Sequence, residues 1–201
     1  MADRKRNVGI VIFDGVEVLD FAGPYEVFSV AGEVSDPGAF NVYLIAESKE
    51  AVAGRNDFRV VPHHTFAQCP KCDILLIPGG PGTRIEENRP EMVDWVAARA
   101  EPAELVLSVC TGARILAKAG LLDGLEATTH WVSIQELKEM APEAKIYDDR
   151  RFVDNGKVVT SAGVSAGIDM SLHIVARLCG EKAAADTAHF MEYDTYKREA
   201  A

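Results

Sequence analysis

The sequence predicts an α/β sandwich of the flavodoxin-like kind, a mostly parallel central sheet, doubly wound, with helices on both faces. Three observations lead there. Residues 8–13, 73–77 and 105–109 are short, continuous apolar runs, the mark of strands covered on both faces. Stretches with helical spacing of apolar residues separate such runs, and alternation of this kind builds parallel sheets through right-handed crossovers. At Cys110 a strand pattern runs into a helix pattern with almost no loop between them.

The elements follow in order. The first strand, 8–13, meets a turn at Asp14-Gly15. A helix follows to about Val30, with Pro24 suited to its first turn. Residues 31–39 carry Gly, Ser, Asp and Pro and read as a loop. The second strand is 40–46. Val52 and Val60-Val61, around Gly54 to Asp57, suggest a small hairpin on the edge of the main sheet. The strand 73–77 ends in Pro78-Gly79-Gly80-Pro81-Gly82, and a helix over 90–100 opens on Pro90 and turns Met92, Val93, Trp95 and Val96 inward. Gly120 ends the helix that starts at Thr111. Short strands are expected at 127–129, 144–147 and 152–153, and a helix from His130 to Met140. Asn155-Gly156 signals a hairpin into 158–161. Long helices over 165–178 and about 182–196 complete a single domain spanning 1–201.

The composition narrows the function classes. The chain carries 21 Lys and Arg against 31 Asp and Glu, a net charge of −10, which disfavours nucleic-acid backbones and anionic membrane surfaces as partners. No apolar run approaches the roughly 18 residues of a membrane helix. The basic start, Met1 to Asn7, precedes an apolar stretch too short for a signal peptide. A cytoplasmic protein with four reduced cysteines is the expectation.

Three strand ends converge on the chemistry. The junction at Cys110-Thr111-Gly112 is a sharp turn whose backbone freedom is assigned to Gly112. It resembles a nucleophile elbow, with the Cys110 side chain pushed out at a helix N-terminus, where unpaired amides and the helix dipole favour thiolate. The plainer reading is a buried structural cysteine. In an open parallel sheet, sites form outside the carboxyl ends of the strands. The loops carrying Asp20, Gly79-Gly80 and Cys110 would then share a crevice. Such a set suits thiol chemistry, with Cys110 attacking, Asp20 moving protons, and the Gly80 and Thr111 amides stabilising developing negative charge. Singly, Gly79-Gly80 reads as a tight turn and Asp20 as a helix cap, with Glu17 a rival acid. Trp131, Val164 and Ile168 are pocket or core residues. His63, His64 and the Cys69-Pro70-Lys71-Cys72 pair place four metal-ligating side chains within ten residues. Adjacent histidines alternate faces in an extended chain, so no metal site is expected there. Cys179 reads as core.

The elbow Ser108-Val109-Cys110-Thr111-Gly112, the Pro78-Gly79-Gly80 loop, Ala127-Thr128-Thr129-His130 and the stretch from Thr160 to Asp169 together resemble the ThiJ/PfpI superfamily, relatives of class I glutamine amidotransferases. Leu19-Asp20, Gly23-Pro24, Trp131 and Glu192-Tyr193 make isonitrile hydratases the most similar subfamily. Sensor domains fused to AraC-type DNA-binding modules share several of these motifs. The resemblance implies Cys110 as nucleophile, Asp20 as its acidic partner, a Thr111 contribution through its amide and hydroxyl, and Gly79, Gly80 and His130 around the substrate. It implies a lyase that hydrates an isonitrile to an N-substituted formamide without metal or organic cofactor, in a homodimer with a small-molecule substrate. The alternatives are a glyoxalase-like or deglycase-like detoxifying enzyme and a cysteine-based redox or ligand sensor. Thr111 stands where proteases of the superfamily carry His, which speaks against peptidase activity. With Ala201 as the last residue, direct transcriptional control is not expected.

Overall fold

The computed structural model describes residues 5–193. Five of its strands lie side by side and parallel: β1 (Arg6–Val11), β2 (Phe40–Ala46), β6 (Ile74–Ile77), β7 (Leu105–Val109) and β11 (Val158–Ser161). They belong to a seven-stranded sheet completed by the short β5 (His64–Thr65) and by β10 (Phe152–Asp154), which runs antiparallel to β11. The spatial order is β10-β11-β7-β6-β1-β2-β5. β5 runs parallel to β2 but is only two residues long; the five longer parallel strands taken alone read second, first, third, fourth, fifth, the flavodoxin-like order, and its switch point falls between β1 and β6. β6 and β7 are buried at every residue, as continuous apolar runs require.

β3 (Val52–Ala53) and β4 (Arg59–Val60) form the expected hairpin, but as a separate two-stranded sheet rather than an extension of the main one; β5 takes the edge position instead. β8 (Glu126–Thr128) and β9 (Lys145–Tyr147) make a second, parallel pair. Among the described residues the helices are α1 (Val18–Val30), α2 (Thr83–Glu86), α3 (Pro90–Ala100), α4 (Gly112–Lys118), α5 (Ile134–Met140), α6 (Ala166–Cys179) and α7 (Glu181–Phe190). Helices α1, α6 and α7 pack on one another, and α4 packs on α2, α3 and α5, giving the two helical layers. The part of the predicted last helix beyond residue 193 lies outside the described residues. None of the described helices is long and apolar enough to cross a membrane.

Three local expectations change. Residues 31–35, expected in the loop over 31–39, form a π-helical turn that continues α1. Pro24 lies inside α1, not in its first turn, because the helix starts six residues earlier. Its ring packs beside Gly167 of α6, so tertiary contact holds a position that helix propensity disfavours. The segment opened by His130 is a short 3₁₀ turn over Trp131–Ser133 before α5 begins.

Candidate functional site

β1, β6 and β7 are adjacent, and their carboxyl ends bring the three loops together. Ile77 pairs with Ser108, which sets Pro78-Gly79 beside Val109-Cys110. Ser161 pairs with Val109, which sets residues 162–164 on the other flank.

Cys110 follows β7 at φ 57, a left-handed conformation that few side chains adopt. The strain therefore sits on the cysteine itself, and Gly112 serves differently from expectation. Its φ is not positive. A Cβ at Gly112 would lie 2.1 Å from the Ile77 carbonyl oxygen, so a side chain there would push β6 and the elbow apart. The elbow is pinned at both ends. The Cys110 amide donates to the Ser161 and Ala162 carbonyls at 3.2 Å each, and its carbonyl accepts the Thr129 hydroxyl at 2.7 Å. Thr129 was not picked out as a site residue, although it stands in the Ala-Thr-Thr-His motif.

Asp20 is no helix cap. It lies in the first turn of α1, is completely buried, and turns its carboxyl toward the β6 loop. Oδ2 accepts the Gly79 amide at 3.0 Å, while among the described residues Oδ1 has no partner of ordinary hydrogen-bond geometry. A buried carboxyl oxygen left unpaired is expensive and rare. Burial is the main force on this group and raises it to about 7, aided by the negative charge of Glu17 and opposed by the Gly79 amide, the Cys110 thiol and the Val164 amide. The sulfur is affected more strongly. Burial first, then the Asp20 charge, pushes Cys110 up to about 12, although the Thr111 and Val164 amides pull it down. The expected thiolate is thus a thiol at neutral pH, because desolvation next to a carboxylate outweighs the start of a seven-residue helix. Both residues are buried, Cys110 with 6% exposure and Asp20 with none.

The glycine loop also works differently from an oxyanion hole. The Gly79 amide is committed to Asp20. The Gly80 amide donates to Thr111 Oγ1 at 2.9 Å, and the same Oγ1 accepts the Thr83 hydroxyl at 2.9 Å. The Thr111 hydroxyl thereby ties two loops together. Gly79 must be glycine for closeness: a Cβ there would fall 2.5 Å from the Thr111 nitrogen and 2.9 Å from Asp20 Oδ2. The amides that act on the sulfur are those of Thr111 and Val164. Val164 holds φ 52, strained for a β-branched residue. Nothing in its residue type announces that an amide matters there. Its neighbour Gly163 carries the His130 ring against its backbone.

His130 spends Nδ1 on the Val132 amide at 3.3 Å, and burial keeps its pKa below the usual imidazole value. Among the described residues no hydrogen bond joins it to Cys110 or Asp20. Glu17 pairs with Arg55 at 2.6 Å and is not the acid beside the sulfur. Trp131 is 76% exposed, whereas Ile168 is buried against Gly23 of α1. A cavity of about 130 Å³ lined by Phe13, Asp14, Glu47, Ser48 and Glu86, among others, includes neither Cys110 nor Asp20. Among the described residues no three His, Cys, Asp or Glu side chains are grouped to hold a metal ion.

With this geometry in hand, comparison with known proteins gives the following. The model of the DJ-1/PfpI family matches residues 6–177. An isonitrile hydratase of Pseudomonas putida is 32% identical over 186 residues, covering 92% of this chain and 76% of that protein. The transcriptional regulator GbdR of Pseudomonas aeruginosa is 25% identical over 96% of this chain, which spans only 52% of the regulator's length. Among solved structures, a ThiJ/PfpI family protein from Pseudomonas syringae superposes with a TM-score of 0.87 at 30% identity, covering 98% of this chain and 79% of that one.

Proposed function

This chain belongs to the DJ-1/PfpI family, and we propose that it is a lyase of the isonitrile hydratase kind, with Cys110 as nucleophile and Asp20 as the group that moves its proton. The observation that carries this reading is the buried carboxyl of Asp20, one oxygen fixed by the Gly79 amide and the other unpaired, held against a thiol in a strained elbow.

A thiol over a carboxylate of near-neutral pKa is a proton donor and acceptor matched to addition across a carbon that needs both a nucleophile and a proton. As the sulfur attacks the terminal carbon of R–N≡C, Asp20 takes the thiol proton and returns it to that carbon, leaving a thioimidate, Cys–S–CH=N–R. The Thr111 and Val164 amides stabilise the charge that builds on sulfur. Water then adds to the thioimidate carbon, and one of its protons passes through Asp20 to the imidate nitrogen, leaving the hydroxyl proton for the sulfur. Collapse breaks the carbon–sulfur bond, the sulfur recovers a proton, and HC(=O)–NH–R leaves. The sum is one isonitrile plus one water to one formamide, with no change of oxidation state on the protein. The similar hydratase supports this reading, and the covered span of that relative is most of its length.

The test is a panel of alkyl and aryl isonitriles with formamide detected by mass spectrometry. Turnover by the wild type, reduced at least about 10³-fold by Cys110→Ala, is expected for a nucleophile. No formamide from any member overturns the hydratase assignment, and lactate from methylglyoxal in its place would move the chain to the glyoxalase-like reading. Absence of both activities, with a ligand-induced shift in thermal stability, would favour a binding role without turnover.

A further inference from the structure

One sequence motif is untouched by this chemistry. Cys69 and Cys72 flank Pro70-Lys71 just ahead of β6, at the end of that strand opposite the Asp20–Cys110 site. Both are buried, with 8% and 2% exposure. Their sulfurs stand 3.7 Å apart, within reach of a side-chain rotation of the bond they could share. The Tyr43 hydroxyl lies 3.6 Å from Cys72 Sγ and is positioned to donate to it, and the Tyr43 ring is itself braced edge-on by His64. Space for Cys72 exists because β1 has Gly9 beside it: a Cβ there would come within 2.6 Å of the sulfur. The nearby histidines are engaged otherwise, His63 accepting the Leu44 amide through Nδ1, so two sulfurs and a phenol do not make a closed zinc site.

We propose that Cys69 and Cys72 are a dithiol–disulfide site, oxidised by hydroperoxides and restored by thiols, that works separately from Cys110. As thiols both sulfurs face the Pro70 carbonyl, and the Tyr43 hydroxyl also reaches the Lys71 carbonyl; once Cys72 gives up its proton, the Cys69 thiol at 3.7 Å and the Tyr43 hydroxyl at 3.6 Å can both donate to it, which favours Cys72 as the sulfur that carries negative charge. Consistent with that, Cys72 is lowered to about 7, chiefly by Cys69, while Cys69 is driven upward by the same contact and by burial. Cys72 attacks the peroxide: a sulfur–oxygen bond forms, the oxygen–oxygen bond breaks, and an alcohol or water leaves with the thiol's proton. Cys69 sulfur then displaces hydroxide from the sulfenic acid, which departs as water with the second proton. The two sulfurs have together given up two electrons, and the peroxide has accepted them. A dithiol reductant reverses the bond by exchange.

The experiment uses the full chain. Lys71 separates the two cysteines, so tryptic cleavage after Arg59, Lys71 and Arg84 puts them on different peptides, 60–71 and 72–84. After hydrogen peroxide, alkylation of free thiols and digestion without reductant, these two peptides should run as one species, two hydrogens lighter than their sum, which dithiothreitol splits. The same species should form in Cys110→Ser, and Tyr43→Phe should form it several-fold more slowly. Full alkylation of Cys69 and Cys72 under peroxide that oxidises Cys110, or pairing of either with Cys110 or Cys179, overturns the proposal. An unchanged rate in Tyr43→Phe overturns the part given to the hydroxyl.

Discussion

Two buried polar clusters lie one helical turn apart at the start of α4, and they have opposite designs. Around Arg114 every charge is answered: its guanidinium, 6% exposed, takes both oxygens of Glu87 at 2.6 and 2.7 Å and also pairs with Glu136, which Arg84 and Ser133 hold from outside. Around Cys110 the accounts are left open. Among the described residues Asp20 has no cation of its own and one of its oxygens is unpartnered, and two residues, Cys110 and Val164, hold positive φ. The first cluster joins α4 to the α2–α3 turn and to α5; the second, on the function proposed above, keeps a proton mobile. Satisfied buried charge serves architecture, whereas unsatisfied buried charge, tolerated only because its surroundings are so well fixed, marks where chemistry happens.

The sharpest way to break this contrast is to unbalance the balanced cluster. Arg114→Met keeps the length of the side chain but leaves Glu87 buried without its cation. Removing one partner of a buried pair costs about 3–5 kcal/mol. Chemical denaturation should register a loss of that size, with any surviving folded protein keeping its activity per folded molecule. A loss below about 1 kcal/mol, as for a surface pair, would show the Arg114 cluster to be ornament on a frame held by other contacts.

The second prediction runs the opposite way. Asp20 in the folded chain keeps its proton to about pH 7, whereas in the unfolded chain it releases it near 4. Between those values the native state binds more protons than the unfolded state, so this group's contribution to stability falls as pH rises, and above pH 7 the buried charge is a standing cost. Asp20→Asn removes it. Its carbonyl can still accept the Gly79 amide, and the variant should be more stable than wild type at pH 8 by up to about 4 kcal/mol, with the gain vanishing toward pH 4. Activity should drop by at least about 10²-fold, the usual worth of a positioned acid–base group. Wild-type activity should in turn rise through about pH 7 as the carboxylate forms. A variant destabilised at pH 8 would mean that the carboxylate is held by more than the Gly79 amide.

How far each cluster could be read from the sequence follows from what residue types encode. Runs such as 40–46 and 105–109 fixed their strands to the residue, and Pro90 and Pro24 both declared a helix. Pro24 misled about where that helix begins, because packing against Gly167 outvotes local preference. The convergence of three loops was legible, since the flavodoxin-like order makes β1, β6 and β7 neighbours. The direction of each amide was not. The Gly80 and Thr111 amides are the ones expected to stabilise charge; the Thr111 amide does act on the sulfur, but the Gly80 amide holds Thr111 Oγ1, and the second amide at the sulfur comes from Val164, a residue whose side chain suggests only packing. Side chains advertise their chemistry; backbone donors depend on φ and ψ, which a β-branched residue at φ 52 contradicts rather than signals. The state of the thiol is hidden from the sequence for a related reason. A helix N-terminus is visible in sequence, but the depth of burial that overrides it is a property of the whole packed sheet.

The smallest effect concerns how the strained elbow is held. Thr129 is buried and donates to the Cys110 carbonyl at 2.7 Å, and its partner is the residue that carries φ 57. Thr129→Val preserves shape and removes the hydroxyl, leaving a buried carbonyl unanswered at a cost of about 1–2 kcal/mol. If that bond only stabilises the fold, activity per folded molecule stays level. If it keeps the sulfur over Asp20, the elbow relaxes toward ordinary φ, the thiol moves off the carboxyl, and turnover falls about tenfold, since small misplacements of a reacting group are costly. Thr129→Ser restores the donor and should restore both quantities. Rescue of stability without rescue of turnover would assign the positioning of Cys110 to the Ser161 and Ala162 carbonyls that hold its amide.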